Sequence, residues 1–143
     1  MDRSFVEQNQ AATDRLRTLV NRLTAEQMHL KVGADWTVSI TLAHLAFWDR
    51  RVLLVLDGTE RDGKLFPVEF DLIVNNALLP TWALIPPRAA ARLALETAVA
   101  LDRRLEAFPP ALLEQVQAYN PRWVQRTLHR TTHLDELDKA LSA

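Results

Sequence analysis

The chain has 143 residues, 48% of them hydrophobic and 24% charged, with a formal net charge of -1. That length fits one domain with enough apolar material for a core. The near-zero charge gives no field pointing to nucleic acid or to an anionic membrane. There is no cysteine, which excludes disulfides, thiolate metal ligands and a cysteine nucleophile.

Met1-Asp2-Arg3-Ser4 lacks the apolar run of a secretion signal. No stretch reaches the ~18 consecutive apolar residues of a membrane span. A cytoplasmic protein is therefore expected. Ser4 and Glu7 have capping-box spacing, and Phe5, Ala12, Leu16, Leu19 and Leu23 recur at helical steps, which predicts a first long helix over 5–23. Thr24 and Gln27 suit a short helical piece, and His29 falls in that turn, exposed to solvent. Gly33 lies in a polar stretch before Trp36. Thr37 is a candidate N-cap for a second long helix over 38–57, ended by Asp57-Gly58.

Residues 58–67, with two glycines and a proline, suggest a loop, and 69–79 a shorter helix before Pro80. Pro86-Pro87 open a third long helix with Ala94, Ala98, Leu101, Leu105 and Phe108 as its inner stripe. Pro109-Pro110 stop it. One or two turns over 111–117 are expected next, and Asn120-Pro121 form a cap and first position for a fourth long helix to about Leu141. No strand pattern competes with these helices, and no repeat is present. Four long helices make an all-α four-helix bundle the natural architecture. The long connection between the second and third allows a crossover along the bundle, and an up-down-up-down order also remains open.

Three of the four histidines carry the chemistry. His129 and His133 stand four residues apart, on one helical face and one turn from each other. Leu137 and Leu141 continue that line, which predicts that it faces inward. His44 lies between Ile40 and Trp48 on the stripe of the second helix. It sits ~9 Å along that helix, and the midpoint of the pair ~15 Å along the last one, at 1.5 Å per residue. The three can therefore lie level and share a divalent cation, although a neutral core histidine at 44 is the plainer reading of that residue alone.

The run from Trp36 to Asp49, with Trp36-Thr37-Val38 followed by Leu42, His44 and Leu45, resembles the W-T-V-x-x-x-L-x-H-L signature of the DinB/YfiT-like superfamily. The segment from His129 to Leu137 resembles its H-x-x-x-H element on the last helix. The resemblance covers essentially the whole chain. It implies a four-helix bundle in up-down-down-up order, often a homodimer. It also implies a divalent metal held by His44, His129 and His133, whether zinc, nickel, iron or manganese. Members of the superfamily include thiol-dependent S-transferases and isomerases using mycothiol, bacillithiol or glutathione, and also hydrolases. A small-molecule substrate is expected, and no nucleic acid or membrane partner.

Around such a centre Trp48, Arg51, Arg126 and Glu136 are candidates to line a pocket, although Trp48 more simply fits the core and the three charges fit solvated charges or surface ion pairs. Asp49 or Glu136 are candidates to orient an imidazole. Asn75 and Asn76 hint at a polar contact near a pocket, and helix capping explains them nearly as well. Trp82, Tyr119 and Trp123 suit packing or dimer contacts. A non-catalytic bundle that binds a small ligand, with a structural metal or none, and a dimerisation module remain the alternatives. No P-loop, G-x-G-x-x-G or G-x-S-x-G motif is present.

Overall fold

A computed structural model describes residues 1–69 and 71–143; residue 70, within the short helix expected over 69–79, lies outside the described residues. The described chain is mostly helical. Six α-helices run in the order α1 (Phe5–Arg22), α2 (Val38–Asp62), α3 (Ile73–Leu84), α4 (Pro87–Ala107), α5 (Pro110–Tyr119) and α6 (Thr127–Ser142), with single 3-10 turns at Gln27–His29 and Pro121–Trp123. None of the helices is long and apolar enough to cross a membrane.

The helix α2 is buried on most of its surface, including Val38, Leu42, Leu45, Val55 and Leu56. A helix apolar on several faces must sit among others, and α2 packs against α4, α3 and α6, while α1 packs against α4 and α6. Thr37 caps it as expected, its Oγ1 accepting the Ile40 amide proton at 3.2 Å. The expected stop at Asp57-Gly58 is wrong: α2 continues to Asp62 and ends at Gly63, whose φ of 66° is left-handed. Two interactions carry it through. Arg104 of α4 pairs with Asp57 at 2.7 Å and Glu60 at 2.6 Å, and Phe66 folds back onto the bare Gly58, where a Cβ would come within 2.6 Å of the Phe66 ring.

Other boundaries also move. The Ser4–Glu7 capping box does not form; Ser4 is helical, and Asp2 accepts both its amide and its hydroxyl proton. The third helical segment begins at Ile73 and runs past Pro80 to Leu84. Residues 31–37, where the sequence offered no strand pattern, form a small antiparallel hairpin of β1 (Lys31–Val32) and β2 (Trp36–Thr37) that turns at Gly33, φ 71°. Asn120 caps only the 3-10 turn, by accepting the Arg122 amide proton. The last long helix starts six residues later than expected, at Thr127, because α1 supplies its cap: Asn9 donates to the Val124 carbonyl at 2.8 Å and accepts the Thr127 amide proton at 3.0 Å.

The apolar core falls into two clusters. One gathers Leu16, Leu19, Leu42, Leu45, Trp82, Ala90, Ala94, Leu134 and Leu137. The other gathers Phe5, Val52, Leu56, Leu101, Leu105, Phe108, Leu113, Val116, Trp123 and Val124. The long helices also bury polar residues: Asn9 and Thr13 on α1, Asp49 on α2, Asp102 on α4 and Arg130 on α6. Arg130, 1% exposed, donates to Asp49 at 3.1 Å, to Asp102 at 2.7 Å and to Thr13 at 3.0 Å. Thr13 in turn donates to Asp102.

Removing the central cation leaves Asp102 buried with no opposite charge, so Arg130→Met is expected to cost about 3–5 kcal/mol in urea unfolding. Alanine ordinarily favours a helix over glycine by about 0.5–1 kcal/mol. At position 58 the clash decides the sign: Gly58→Ala is expected to destabilise by about 1–3 kcal/mol, and to become neutral or stabilising when combined with Phe66→Ala.

Candidate metal centre

Two helix starts bring the histidines together. The Thr37 cap starts α2 so that His44, two turns in, faces α6 from a nearly buried position. The Asn9 clamp starts α6 so that His129 and His133 face α2. His44 Nε2 lies 3.1 Å from His129 Nε2 and 3.0 Å from His133 Nε2, and the donor atoms of all three fall within 4.8 Å of one another. Nitrogens about 2.0–2.1 Å from a tetrahedral zinc lie about 3.3 Å apart, so the cluster has the dimensions of a ligand set. Without a shared cation, the His44 Nε2 position faces two ring nitrogens with only one hydrogen or one lone pair to offer them. The donor set and its spacing therefore fit a divalent metal.

The surroundings keep the imidazoles neutral, as ligands must be. Burial lowers the His44 pKa to about 3, with His133 adding to the effect and Asn75 opposing it. Among the described residues His44 Nδ1 finds no hydrogen-bond partner. Burial lowers the His129 pKa as well, with the Arg126 charge next in importance. Burial also lowers that of His133, against an upward pull from Glu136. Glu136 Oε2 stands 3.3 Å from His133 Nδ1, so Glu136 orients that imidazole, as one of the two carboxylate candidates.

Asp49, the other candidate, does something else. It joins the buried charges, accepting from Arg126 Nε at 2.9 Å and from Arg130. Arg126 is thus no solvated charge: it is buried, and burial lowers its pKa against the pull of Asp49, although a guanidinium stays protonated. It donates through Nη1 to the Arg122 carbonyl at 3.0 Å and lies 3.1 Å from His129 Nδ1 through Nη2. Arg130 drew no notice in the sequence. An arginine one residue past His129, on a helix with acidic residues downstream, carries no signal of burial. Arg51 is half-buried; it donates to the Glu69 carbonyl and lies over the Trp48 ring.

A cavity of about 530 Å³ opens on the histidines, walled by Trp36, Trp48, Trp123, Leu72, Asn75 and Arg122 among others. Trp36, carried over the site by the β1–β2 hairpin, has its ring centroid 4.7 Å from that of His44 and stacks on His133 at 6.0 Å. Trp48 lines the cavity and donates its indole proton to Asn75 Oδ1 at 2.8 Å, which places the expected polar contact near the pocket at Asn75. Trp82 meets His44 edge-on from the core side, Trp123 serves both cavity and core, and Tyr119 and His29 are exposed.

A family model described as the mycothiol maleylpyruvate isomerase N-terminal domain matches residues 10–137. No curated protein and no solved structure matches the chain. The family match runs from α1 into α6 and takes in all three clustered histidines. On that match the chain belongs to the mycothiol maleylpyruvate isomerase N-terminal domain family, within the DinB/YfiT-like superfamily.

Proposed function

We propose that this chain is a divalent-metal-dependent enzyme that couples a low-molecular-weight thiol to a small electrophilic substrate, as a thiol-dependent S-transferase or isomerase. The observation that carries the reading is the convergence of the His44, His129 and His133 Nε2 atoms at one end of a cavity large enough for a small molecule. These three residues would hold the metal. When bound, a divalent metal supplies Lewis acidity to an oxygen or sulfur donor. Zinc, nickel, iron and manganese all suit three imidazoles.

The chain's own residues do the rest. With no cysteine, the protein needs its thiol from outside, and the family description names one such thiol, mycothiol. Arg122 and Arg126 line the cavity while no carboxylate does so among the described residues, which favours an anionic or electron-rich ligand. Trp36, Trp48 and Trp123 exclude water and offer flat apolar walls. Glu136 holds the His133 ring, and the Asp49–Arg126 pair holds the floor beneath His129.

The same reading takes the four long helices as a four-helix bundle in up-down-down-up order. In support, α1 meets α6 in the same direction, Asn9 beside Thr127 and Arg22 beside Asp138. The helices α2 and α4 also run together, with Arg130 touching both Asp49 and Ala98 and Arg104 touching Asp57. The reading also takes the protein as a cytoplasmic homodimer. The exposed Leu72, Ile73 and Leu84 on and beside α3 suit an apolar contact.

Chelator-stripped protein, reloaded and dialysed, is expected to retain about one metal per chain by elemental analysis. His44→Ala, His129→Ala and His133→Ala should each lower that occupancy. The loaded protein should consume mycothiol, bacillithiol or glutathione in the presence of an electrophile, and the stripped protein should not. Metal retained by all three variants would remove the site assignment, and thiol consumption unaffected by chelator would remove the metal's role.

Acid should act on the metal-free fold in a defined direction. In the unfolded chain a histidine takes up its proton near pH 6.5, whereas burial delays this in folded His44 to about 3. Between those values the unfolded chain binds more protons, so stability falls as pH falls through that window and recovers as pH rises. Melting temperatures in chelator at pH 7.5, 6.5 and 5.5 should decrease in that order. A flat series would contradict a cluster of neutral imidazoles.

A further inference from the structure

Two clefts meet at His133. The tryptophan-walled cavity of about 530 Å³ lies on one side. A second cleft, of about 690 Å³, lies between the β1–β2 hairpin and the last turns of α6. Only Trp36 and His133 line both. Their rings stack, with centroids 6.0 Å apart and planes inclined by 22°. This ring pair is the shared wall, so the histidine cluster stands at the seam between two compartments.

The compartments differ in charge. Apart from the histidines, the charged side chains of the tryptophan-walled cavity are Arg122 and Arg126, both cations. The hairpin cleft carries both signs, Lys31 and Asp35 from the hairpin and Glu136 and Lys139 from α6. Glu136 is engaged beside His133. Lys31, Asp35 and Lys139 are exposed and make no ion pair among the described residues. Two free cations and one free anion match a ligand with carboxylates in excess of one ammonium.

Resting on the thiol-coupling reading above, we propose that the hairpin cleft binds the non-reacting arm of the thiol, that this arm carries carboxylates in excess of an ammonium, and that the electrophile occupies the tryptophan-walled cavity. Pockets of about 300–1,000 Å³ hold one drug-sized ligand, so a cavity of about 530 Å³ serves one reactant and not two. Coupling needs reacting atoms about 3–3.5 Å apart, and a wall shared by two clefts is where separately bound molecules come that close. The thiol passes Trp36, its sulfur at the histidines and its arm in the hairpin cleft. Glutathione and bacillithiol carry the required charges on their arms, whereas the sugar arm of mycothiol is uncharged. The cleft therefore selects the first two over mycothiol.

The test uses the full chain without metal. S-methylglutathione has the arm but a blocked sulfur, and its binding is followed by backbone 15N NMR. Shifts are expected at Gly33, Ala34 and Ala140, and not at Asn120 or Trp123. The double variant Lys31→Gln with Lys139→Gln should bind it about tenfold more weakly, the scale of two exposed ion pairs. Arg122→Gln should bind it as wild type does. S-methylmycothiol should bind wild type about tenfold more weakly than S-methylglutathione.

Shifts confined to Asn120 and Trp123 overturn the proposal. So does full affinity in the double variant, an equal loss in Arg122→Gln, or S-methylmycothiol bound as tightly as S-methylglutathione. Absence of binding overturns it too, even where the metal-loaded chain consumes thiol. Binding in the hairpin cleft by a chain that consumes no thiol with metal and electrophile present upholds the subsite and removes the coupling reading alone, so the two failures are distinguishable.

Discussion

A guanidinium with 1% of its surface exposed has to be neutralised and hydrogen-bonded in place, and in this protein that requirement joins all four long helices at one level. Arg130 of α6 reaches Asp49 of α2, Asp102 of α4, and both Thr13 and the Asn9 carbonyl of α1. Arg126 adds a second cation on Asp49, so the layer holds two positive and two negative charges. Apolar packing above and below would tolerate small slides of one helix past another. A buried charge left unpaired costs far more than a lost methylene contact, so this layer sets the helix register. Registry is the best-attested use of such buried ionic groups.

The histidine cluster inherits that register. His129 and His133 flank Arg130 on α6, and His44 stands five residues before Asp49 on α2. Once Asp49 has met Arg126 and Arg130, the three imidazoles have no other level at which to meet. The same aspartate holds Arg126 against His129, which ties the electrostatics of the site to the packing of the core. Structural and chemical roles are thus served by neighbouring residues of one helix turn, and a change meant for one will be felt by the other.

The cavity is made by pieces outside the four long helices. The β1–β2 hairpin brings Trp36 over His44, α3 brings Asn75 to the Trp48 indole, and the 3-10 turn at Pro121–Trp123 brings Trp123 and Arg122 to the mouth. Trp36, Asn75, Arg122 and Trp123 from these segments line the cavity beside the histidines. Loops carried on a rigid frame are where binding surfaces are usually found.

What the sequence determined by itself was the local part. The periodicity of α1 and α4, the Thr37 cap, the Pro86-Pro87 start and the four-residue spacing of His129 and His133 depend on neighbours along the chain, and each can be read there. The family resemblance lay in Trp36 to Asp49 and His129 to Leu137, and it named the three histidines that the fold brings together. What only the tertiary structure decided were events across space. The helix α2 passes Gly58 because Arg104 and Phe66 meet it from elsewhere. The helix α6 begins at Thr127 because Asn9, on another helix, satisfies its first amide. Arg126 and Arg130 look like surface cations in a string of letters, and only the arrival of Asp49 and Asp102 makes burying them affordable. Burial and charge pairing are properties of contacts between distant residues, and no local pattern encodes them.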